Sequence, residues 1–170
     1  MVPDANGKNP SGVRGERHRL RGPSRIDPVK SAAISTPAAA KKRVLFVCIG
    51  NSCRSQMAEA FARAYGADIM EVQSAGVSPA SYIAALTKQT LAERNLHIDD
   101  HFPKSLDSLR DQSFDVVLNM SGTPLRRPGT QVIDWVVPDP IGQSEAYYRT
   151  VATQIEGLVM RLILELRTAK

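Results

Sequence analysis

The chain has 170 residues, which is enough for one domain with a buried core. No apolar run approaches the roughly 20 residues that a membrane-spanning helix requires, so we expect no membrane partner. The formal net charge of +5 is unevenly distributed, because residues 1–43 hold ten Lys or Arg against three Asp or Glu, and the remainder holds 12 against 14. The basic character therefore belongs to the N-terminal segment, and the rest of the chain gives no sign of specific nucleic-acid binding.

The first 42 residues are predicted to be a disordered basic tail. They are rich in Gly, Pro, Ser, Ala, Arg and Lys and contain no aromatic residue, so they cannot bury enough surface to offset the entropy of ordering. They also lack an apolar stretch long enough for a signal peptide. Arg-rich segments of this kind occur as organelle targeting sequences or contact nucleic acid or anionic lipid, but a solvated tail is the simpler interpretation. Residues 43–170 are predicted to form the folded domain.

The domain begins with a predicted strand, a short loop and a helix. The strand, 43–47, is continuously apolar, which is typical of a central parallel strand that is covered on both faces. The helix is predicted over 56–65, with Ser55 as its N-cap and Gly66 at its end. The remaining predicted elements are a strand over 70–74 that closes at 75–76, a helix over 82–95, a short helix over 105–110, strands over 114–120 and 131–136, and a helix over 144–167. Alternating strands and helices predict βαβ units and a parallel sheet.

The loop between the first strand and helix reads Cys-Ile-Gly-Asn-Ser-Cys-Arg-Ser over residues 48–55. Successive backbone N–H groups in such a loop, together with the start of the following helix, form a site for an oxyanion. The same field stabilises a thiolate, so we predict Cys48 to be a nucleophile. Arg54 offers a planar fork of donors that can hold two oxygens of a tetrahedral anion. Gly50 allows close backbone approach, and Asn51 tolerates a left-handed backbone.

This loop resembles the signature loop of the low-molecular-weight protein tyrosine phosphatases and of the arsenate reductases that share their fold. The similarity continues in 74–76, which resembles a second-strand segment, and in 137–140, Val-Pro-Asp-Pro, which resembles the general-acid loop. It extends from residue 43 to the C-terminus. The resemblance implies a three-layer αβα sandwich with a four-stranded parallel sheet in the flavodoxin-like order 2-1-3-4. It also places Cys48 and Asp139 beyond carboxyl ends of strands, at one edge of the sheet.

The resemblance also implies roles for the site residues. Cys48 attacks phosphorus, and Asp139 protonates the leaving oxygen and then deprotonates the hydrolytic water. Ser55 donates to the Cys48 thiolate. The oxyanion is held by the Arg54 guanidinium and by the backbone N–H groups of the loop, which are those of Ile49, Gly50, Asn51, Ser52, Cys53 and Arg54, and Ser55 completes the predicted anion-binding set.

Three functions remain open, in order of preference. The first is phosphomonoester hydrolysis of the protein tyrosine phosphatase type, through a phosphocysteine intermediate on Cys48. The second is arsenate reduction; because no cysteine follows Cys53, it would need an external thiol such as glutathione, mycothiol or thioredoxin. The third is a phosphocysteine carrier or anion-binding module, which has little use for a leaving-group acid.

One departure puts a phosphotyrosine substrate in doubt. Many phosphatases of this family place an aromatic pair directly after Asp-Pro, whereas Ile141-Gly142 stand there in this chain. The later pair Tyr147-Tyr148 falls on the predicted last helix, where one tyrosine is expected in the core. Tyr82 and Trp135 are the other candidates for an aromatic wall.

Cys48 and Cys53 are the only cysteines, which indicates a reducing compartment, and we predict the cytoplasm. The two thiols could pair under oxidation, or Cys53 could simply pack beneath the loop, and the sequence leaves both open. His97 and His101 do not have the spacing of metal ligands and are predicted at the surface or in turns. We therefore predict no metal and no other cofactor.

Overall fold

A computed structural model of the protein describes residues 40–169. The elements in chain order are β1 (Lys42–Cys48), α1 (Arg54–Gly66), β2 (Met70–Gly76), α2 (Ala85–Ala92), a 3₁₀ helix (Leu106–Leu109), β3 (Val116–Asn119), β4 (Gln131–Asp134) and α3 (Glu145–Thr168). Most of the predicted tail lies outside the described residues. Its last residue, Lys42, is the first residue of β1 rather than part of a tail.

The four strands form one parallel sheet in the order β2-β1-β3-β4, which confirms the predicted flavodoxin-like order. β1 is central, and residues 44–48 of this strand are buried, as its apolar sequence predicts. At its end Cys48 lies opposite Gly76, the last residue of β2. The 48–55 loop therefore starts at the carboxyl edge of the sheet, beside the end of β2.

The two faces of the sheet are covered unequally. One face packs against α1 and α3, in a core that includes Val44, Phe46, Leu118, Met57, Phe61, Tyr148, Ile155 and Ile163. α2 packs on this side too, against α3 and α1. The other face carries a smaller core, covered by the 3₁₀ helix and by loop residues: Leu45, Val47, Ala75, Val117, Leu106, Leu109, Phe114 and Leu125. The fold thus has the three predicted layers, but one of them is thin.

Several element boundaries differ from the prediction. α1 begins at Arg54 with Cys53 at the N-cap, so the prediction of Ser55 as N-cap is wrong and its hydroxyl is used elsewhere. α2 is shorter than the predicted 82–95 at both ends: Ala84, just before it, has an extended backbone, and a turn with Asn95 at a φ of +58° follows its last residue, Ala92. Gly66 ends α1, as predicted. Ser144 caps α3, where its Oγ accepts the Tyr147 N–H at 3.2 Å.

Among residues 40–169, no helix combines the length and the apolar character that crossing a bilayer would take.

Candidate active site

The 48–55 loop is held open by a segment that follows β2, residues 77–84. Backbone N–H groups of this segment donate to four carbonyls of the loop, in the pairs Val77 to Cys48 at 3.1 Å, Ser78 to Ile49 at 2.9 Å, Ala80 to Gly50 at 2.9 Å and Ala84 to Ser52 at 3.1 Å. The C=O of one residue and the N–H of the next point in opposite directions across a trans peptide. The loop's N–H groups are therefore directed to its inner side, where they suit an anion.

Cys48 lies at the bottom of the loop with only 2% of its surface exposed. Its Sγ is 2.9 Å from the Ser55 Oγ, and the backbone N–H of Asn51 donates to the same sulfur at 3.3 Å. Both contacts can stabilise negative charge on sulfur, since hydrogen bonds to a charged form favour that form.

Asn51 determines which way the Ser55 hydroxyl points. The Asn51 Oδ1 accepts the backbone N–H of Lys104 at 2.7 Å, so its Nδ2 must face the other side. There Nδ2 donates to the Oγ atoms of Ser55 and Ser74, both at 2.8 Å. Because the Ser55 oxygen already accepts from Asn51, its own hydrogen is available for the Cys48 sulfur. A φ of +48° allows Asn51 to reach these partners from the middle of the loop.

A buried carboxylate completes this network. The Ser74 Oγ donates to the Glu59 Oε2 at 2.5 Å, and Glu59 is 1% exposed on the inner face of α1. Arg63 pairs with the other oxygen of Glu59 at 2.6 Å, and the Lys104 Nζ lies 3.9 Å from Oε2. The charge is thus compensated, as a buried carboxylate requires. Glu59 was not predicted as a site residue; its one signal in the sequence is an acidic residue among the apolar positions of α1.

Gln56 and His101 hold Asn51 from a second side. The Gln56 Nε2 donates to the Asn51 backbone carbonyl at 3.1 Å and to its Oδ1 at 3.2 Å. The Gln56 Oε1 therefore accepts from the His101 Nδ1 at 2.9 Å, which means that this ring nitrogen carries the hydrogen. Burial lowers the pKa of His101 below its ordinary value. His101 is thus a half-buried partner of the loop rather than a surface residue, and its backbone N–H donates to the Ile98 carbonyl at 3.1 Å in a turn, the other position predicted for it.

Arg54 is 5% exposed and joins the carboxyl ends of β1, β3 and β4. Its Nη1 donates to the carbonyl oxygens of Met120 at 2.7 Å and Val137 at 3.1 Å. Its Nη2 forms an ion pair with the Asp139 Oδ2 at 3.0 Å, and the Asp139 side chain is 41% exposed. Asp139 also accepts the Ile141 N–H at 3.2 Å, which orients the carboxylate. The structure therefore brings together the three residues that the sequence analysis named as catalytic.

A cavity of about 230 Å³ opens above the sulfur. It is lined by Cys48, Ile49, Gly50, Ser52, Cys53, Arg54, Asp139 and Ile141. Of the predicted anion-binding residues, Asn51 and Ser55 do not line it but lie behind Cys48. Ile49 and Ile141 are 43% and 49% exposed, so the walls of the cavity are aliphatic.

None of the tyrosines or tryptophans in the described part of the chain lines this cavity. Tyr82 is 75% exposed on the 77–84 segment, and Tyr148 is buried in the core of α3. Trp135 is half-buried against the ring of Phe46, at a centroid distance of 5.8 Å. The aromatic wall considered in the sequence analysis is therefore absent from the cavity itself.

Close approach to the loop requires glycine at position 76 rather than at position 50. A Cβ on Gly76 would lie 2.7 Å from the Ile49 carbonyl oxygen and 2.9 Å from the Asn51 nitrogen. At Gly50 the nearest atom, the Ser52 Oγ, would be 3.4 Å away, so the surrounding protein leaves room for a side chain there. Gly76 thus allows β2 to pack directly behind the loop.

The two cysteines are free thiols in different surroundings. Cys53 packs in the main core and is 2% exposed, and burial raises the pKa of its thiol to about 12. It stays protonated at neutral pH and is therefore a poor nucleophile. Whether Cys48 and Cys53 pair under oxidation stays a prediction. Within residues 40–169, no three His, Cys, Asp or Glu side chains are grouped as ligands for a metal ion.

Comparisons with known proteins identify the family and agree with the fold. The family described as low molecular weight phosphotyrosine protein phosphatase matches residues 43–170. A glutaredoxin arsenate reductase of Synechocystis is 35% identical over 130 residues, which cover 74% of this chain and 98% of that protein. A structure described as an arsenate reductase in the phosphate binding state aligns with a TM-score of 0.67 and 34% identity, covering 74% and 98% of the two chains. A low molecular weight protein tyrosine phosphatase from T. tengcongensis aligns with a TM-score of 0.63 and 30% identity, covering 74% and 99%.

Proposed function

The chain belongs to the low molecular weight phosphotyrosine protein phosphatase family, whose members are enzymes, and from this membership we propose that it reduces arsenate with an external thiol. This reverses the order of preference drawn from the sequence, where phosphomonoester hydrolysis came first. The relatives that support the change are named arsenate reductases and match this chain over nearly their whole length. We assign the activity to residues 43–170 and expect it to operate in the reducing cytoplasm.

The structural observation that supports oxyanion chemistry here, arsenate reduction included, is the surroundings of the Cys48 sulfur. The Ser55 hydroxyl and the Asn51 N–H both contact it, at 2.9 and 3.3 Å, beneath a cavity lined by the loop and Arg54. An arsenate ion in this cavity would present its arsenic to the sulfur while its oxygens accept from the loop amides and the guanidinium. The nucleophile and the donors for the oxyanion are thus already arranged around one position.

The reaction can be written with its electrons balanced. The Cys48 thiolate attacks arsenic in H₂AsO₄⁻, one proton is taken up and one oxygen leaves as water, which gives a Cys48–S–As(V) adduct. A thiol RSH then attacks the Cys48 sulfur, the S–As bond breaks toward arsenic, and H₂AsO₃⁻ leaves as As(III). A second RSH reduces the resulting Cys48–S–S–R disulfide and restores the thiolate. The net reaction converts arsenate and two thiols into arsenite, one disulfide and water.

The thiol must come from outside the chain. No cysteine follows Cys53, and Cys53 itself is buried with a pKa of about 12. A protonated, enclosed thiol does not compete with a soluble one in attacking the Cys48 adduct. Glutathione, mycothiol and thioredoxin are the reductants to test.

Phosphomonoester hydrolysis is the second candidate, and the position of Asp139 favours it. Its carboxylate is partly exposed at the mouth of the cavity, within 3.0 Å of Arg54, where it can protonate the oxygen of a leaving alcohol. A carrier that only holds phosphate would not need this acid. The aliphatic walls formed by Ile49 and Ile141 would accept an aryl ester without stacking on it.

We test the two activities on one purified sample. Arsenite formation is measured with glutathione, mycothiol or the thioredoxin system, and aryl phosphate hydrolysis is followed in parallel. Cys48→Ser should abolish both activities. Asp139→Ala should slow hydrolysis by about 10²-fold or more, because it removes the general acid, and should leave reduction largely unchanged.

Cys53→Ala is the matched control, because it removes the other thiol. Reduction with an external thiol should survive in this variant. Loss of reduction in Cys53→Ala would contradict the external-thiol scheme, and absence of arsenite with all three reductants in the wild type would overturn the proposed activity. Turnover of aryl phosphate without any arsenite would leave hydrolysis as the function.

A further inference from the structure

A second cavity, of about 410 Å³, lies on the thinly covered face of the sheet. Its floor is apolar: Leu106 and Leu125 are partly exposed, and the fully buried register partners Leu45 and Val117 of β1 and β3 also line it. Its volume falls within the range of small-molecule sites. It shares no lining residue with the cavity above Cys48, so the two are separate places in the fold.

The rim of this cavity is basic. Arg110, Arg126 and Arg127 line it together with a single acidic residue, Asp107. Arg127 is occupied, since its Nη2 donates to backbone carbonyls at the end of the 3₁₀ helix. Arg110 has only long, exposed pairs at 3.8 and 3.9 Å with Asp107 and Asp111, which stabilise little. Arg126 is exposed and makes no ion pair with any residue from 40 to 169. Two guanidinium groups are therefore available above an apolar floor.

The same cavity touches both segments that hold the 48–55 loop. Val77 lines it, and the Val77 N–H donates to the Cys48 carbonyl at 3.1 Å. Ser105 also lines it and directly follows Lys104, whose N–H fixes the Asn51 amide at 2.7 Å. A molecule in the cavity would therefore contact Val77, which bonds Cys48 directly, and Ser105, which is next to the residue that fixes Asn51.

We propose that this cavity binds a small organic anion with an aromatic or branched aliphatic body, and that its occupancy changes the affinity of the 48–55 loop for oxyanions. The floor takes the apolar body, while Arg110 and Arg126 take the anionic group. The regulatory half rests on the proposed function, because it assumes an oxyanion at the loop. By thermodynamic linkage, the two ligands must change each other's affinity by the same factor.

The binding half is tested on the full chain with 8-anilinonaphthalene-1-sulfonate, a fluorescent aryl sulfonate, in saturating phosphate so that the loop is occupied. We expect one saturable site whose backbone amide signals shift at Val77, Ser105 and Leu125. The double variant Arg110→Glu and Arg126→Glu should weaken the affinity by about tenfold or more. Its matched control, Lys88→Glu with Arg161→Glu, makes the same change in charge at exposed positions elsewhere and should change the affinity less than about twofold. Equal affinities in the two double variants, or amide shifts elsewhere, would overturn the site.

The regulatory half is tested by measuring the dissociation constant of phosphate with and without saturating sulfonate. We expect a change of about fivefold or more, and the same factor in the sulfonate affinity when phosphate is added. Sulfonate binding that leaves the phosphate affinity unchanged would overturn the regulatory half. If the wild-type protein does not bind phosphate, the proposed function fails instead, and the sulfonate titration without phosphate still decides whether the cavity is a site.

Discussion

Asn51 makes four side-chain hydrogen bonds behind the 48–55 loop, two as a donor and two as an acceptor. The acceptor side receives a backbone N–H, which cannot reverse, so the donor side has a fixed direction. This explains how a neutral serine can serve the Cys48 sulfur as a donor rather than compete with it as an acceptor. The donor and acceptor roles within this hydrogen-bond network are thus fixed by all of its members together.

At the residue scale, removing the Ser55 hydroxyl should make Cys48 less reactive. Ser55→Ala loses a donor to the sulfur, and hydrogen bonds to charged groups contribute about 1.5–3 kcal/mol. We expect the rate of Cys48 alkylation by iodoacetamide at neutral pH to fall by about tenfold or more. The exposed Ser108→Ala is the control. An unchanged alkylation rate in Ser55→Ala would show that the hydroxyl does not support the thiolate.

Glu59 should matter for stability although it does not touch the cavity. Glu59→Gln keeps the shape but removes the charge that binds Ser74 and Arg63, at 2.5 and 2.6 Å. We expect the free energy of unfolding in urea to fall by about 1–3 kcal/mol, the cost of leaving buried polar groups poorly paired. Glu165→Gln, at an exposed carboxylate of α3 that forms no ion pair with any residue from 40 to 169, should change it by less than about 0.5 kcal/mol. A similar small change in both variants would contradict this account of Glu59.

Cys48, Arg54 and their loop could be predicted because consecutive residues carry that chemistry. Glu59, Ser74 and Lys104 could not be predicted as partners, because their contacts with one another or with Asn51 join residues 15 to 53 positions apart and no local pattern marks them. For Ser55 the cap prediction was wrong, since α1 begins two residues earlier than predicted and leaves the hydroxyl pointing at the sulfur.

At the element scale, the 77–84 segment supports the 48–55 loop. Its backbone donates four hydrogen bonds to loop carbonyls, and the chain stays extended at Ala84, so α2 starts only at Ala85. Helical spacing of apolar residues predicted a helix from 82 because periodicity reports which side chains are buried, not the backbone conformation. The shortened α2 is the structural consequence.

Gly76 should be intolerant of even the smallest side chain. In Gly76→Ala the new Cβ would meet backbone atoms of Ile49 and Asn51 below 3 Å, and backbone cannot move aside cheaply. We expect a loss of phosphate binding by at least about tenfold, measured by titration calorimetry. Gly157→Ala makes the same change on an exposed position of α3 with open space around it, and should stabilise the fold by about 0.5–1 kcal/mol. Normal phosphate binding in Gly76→Ala would refute the close-packing argument.

At the scale of the whole molecule, the sheet order was predictable because the family resemblance extends over the domain. The choice between reductase and phosphatase was not predictable, since arsenate and phosphate are both tetrahedral anions and need the same loop. The missing aromatic wall at Ile141 bears on the substrate, and the lack of further cysteines bears on the reductant. Neither feature changes the loop. Only the comparison with whole relatives moved the preference toward reduction.

Stability should decline in alkaline solution because of Cys53. Its folded pKa of about 12 lies above the value of 9.0 expected when unfolded, so the unfolded state loses this proton first. The contribution is complete below pH 9 and is lost as pH rises toward 12, by about 1.4 kcal/mol per pH unit. Urea unfolding between pH 8 and about 11 should show a shallower decline for Cys53→Ala than for wild type. Parallel declines would mean that Cys53 does not govern this pH range.

The ion pair between Arg54 and Asp139 couples anion binding to the freedom of the Asp139 carboxylate. The Arg54 Nη2 donates to the Asp139 Oδ2 at 3.0 Å, and an oxyanion bound above Cys48 would compete for that same nitrogen. On the proposed role of Asp139 as general acid, binding of the anion would free its carboxylate for that role. Substrate binding and the freedom of the acid would thus be coupled through one shared hydrogen-bond donor.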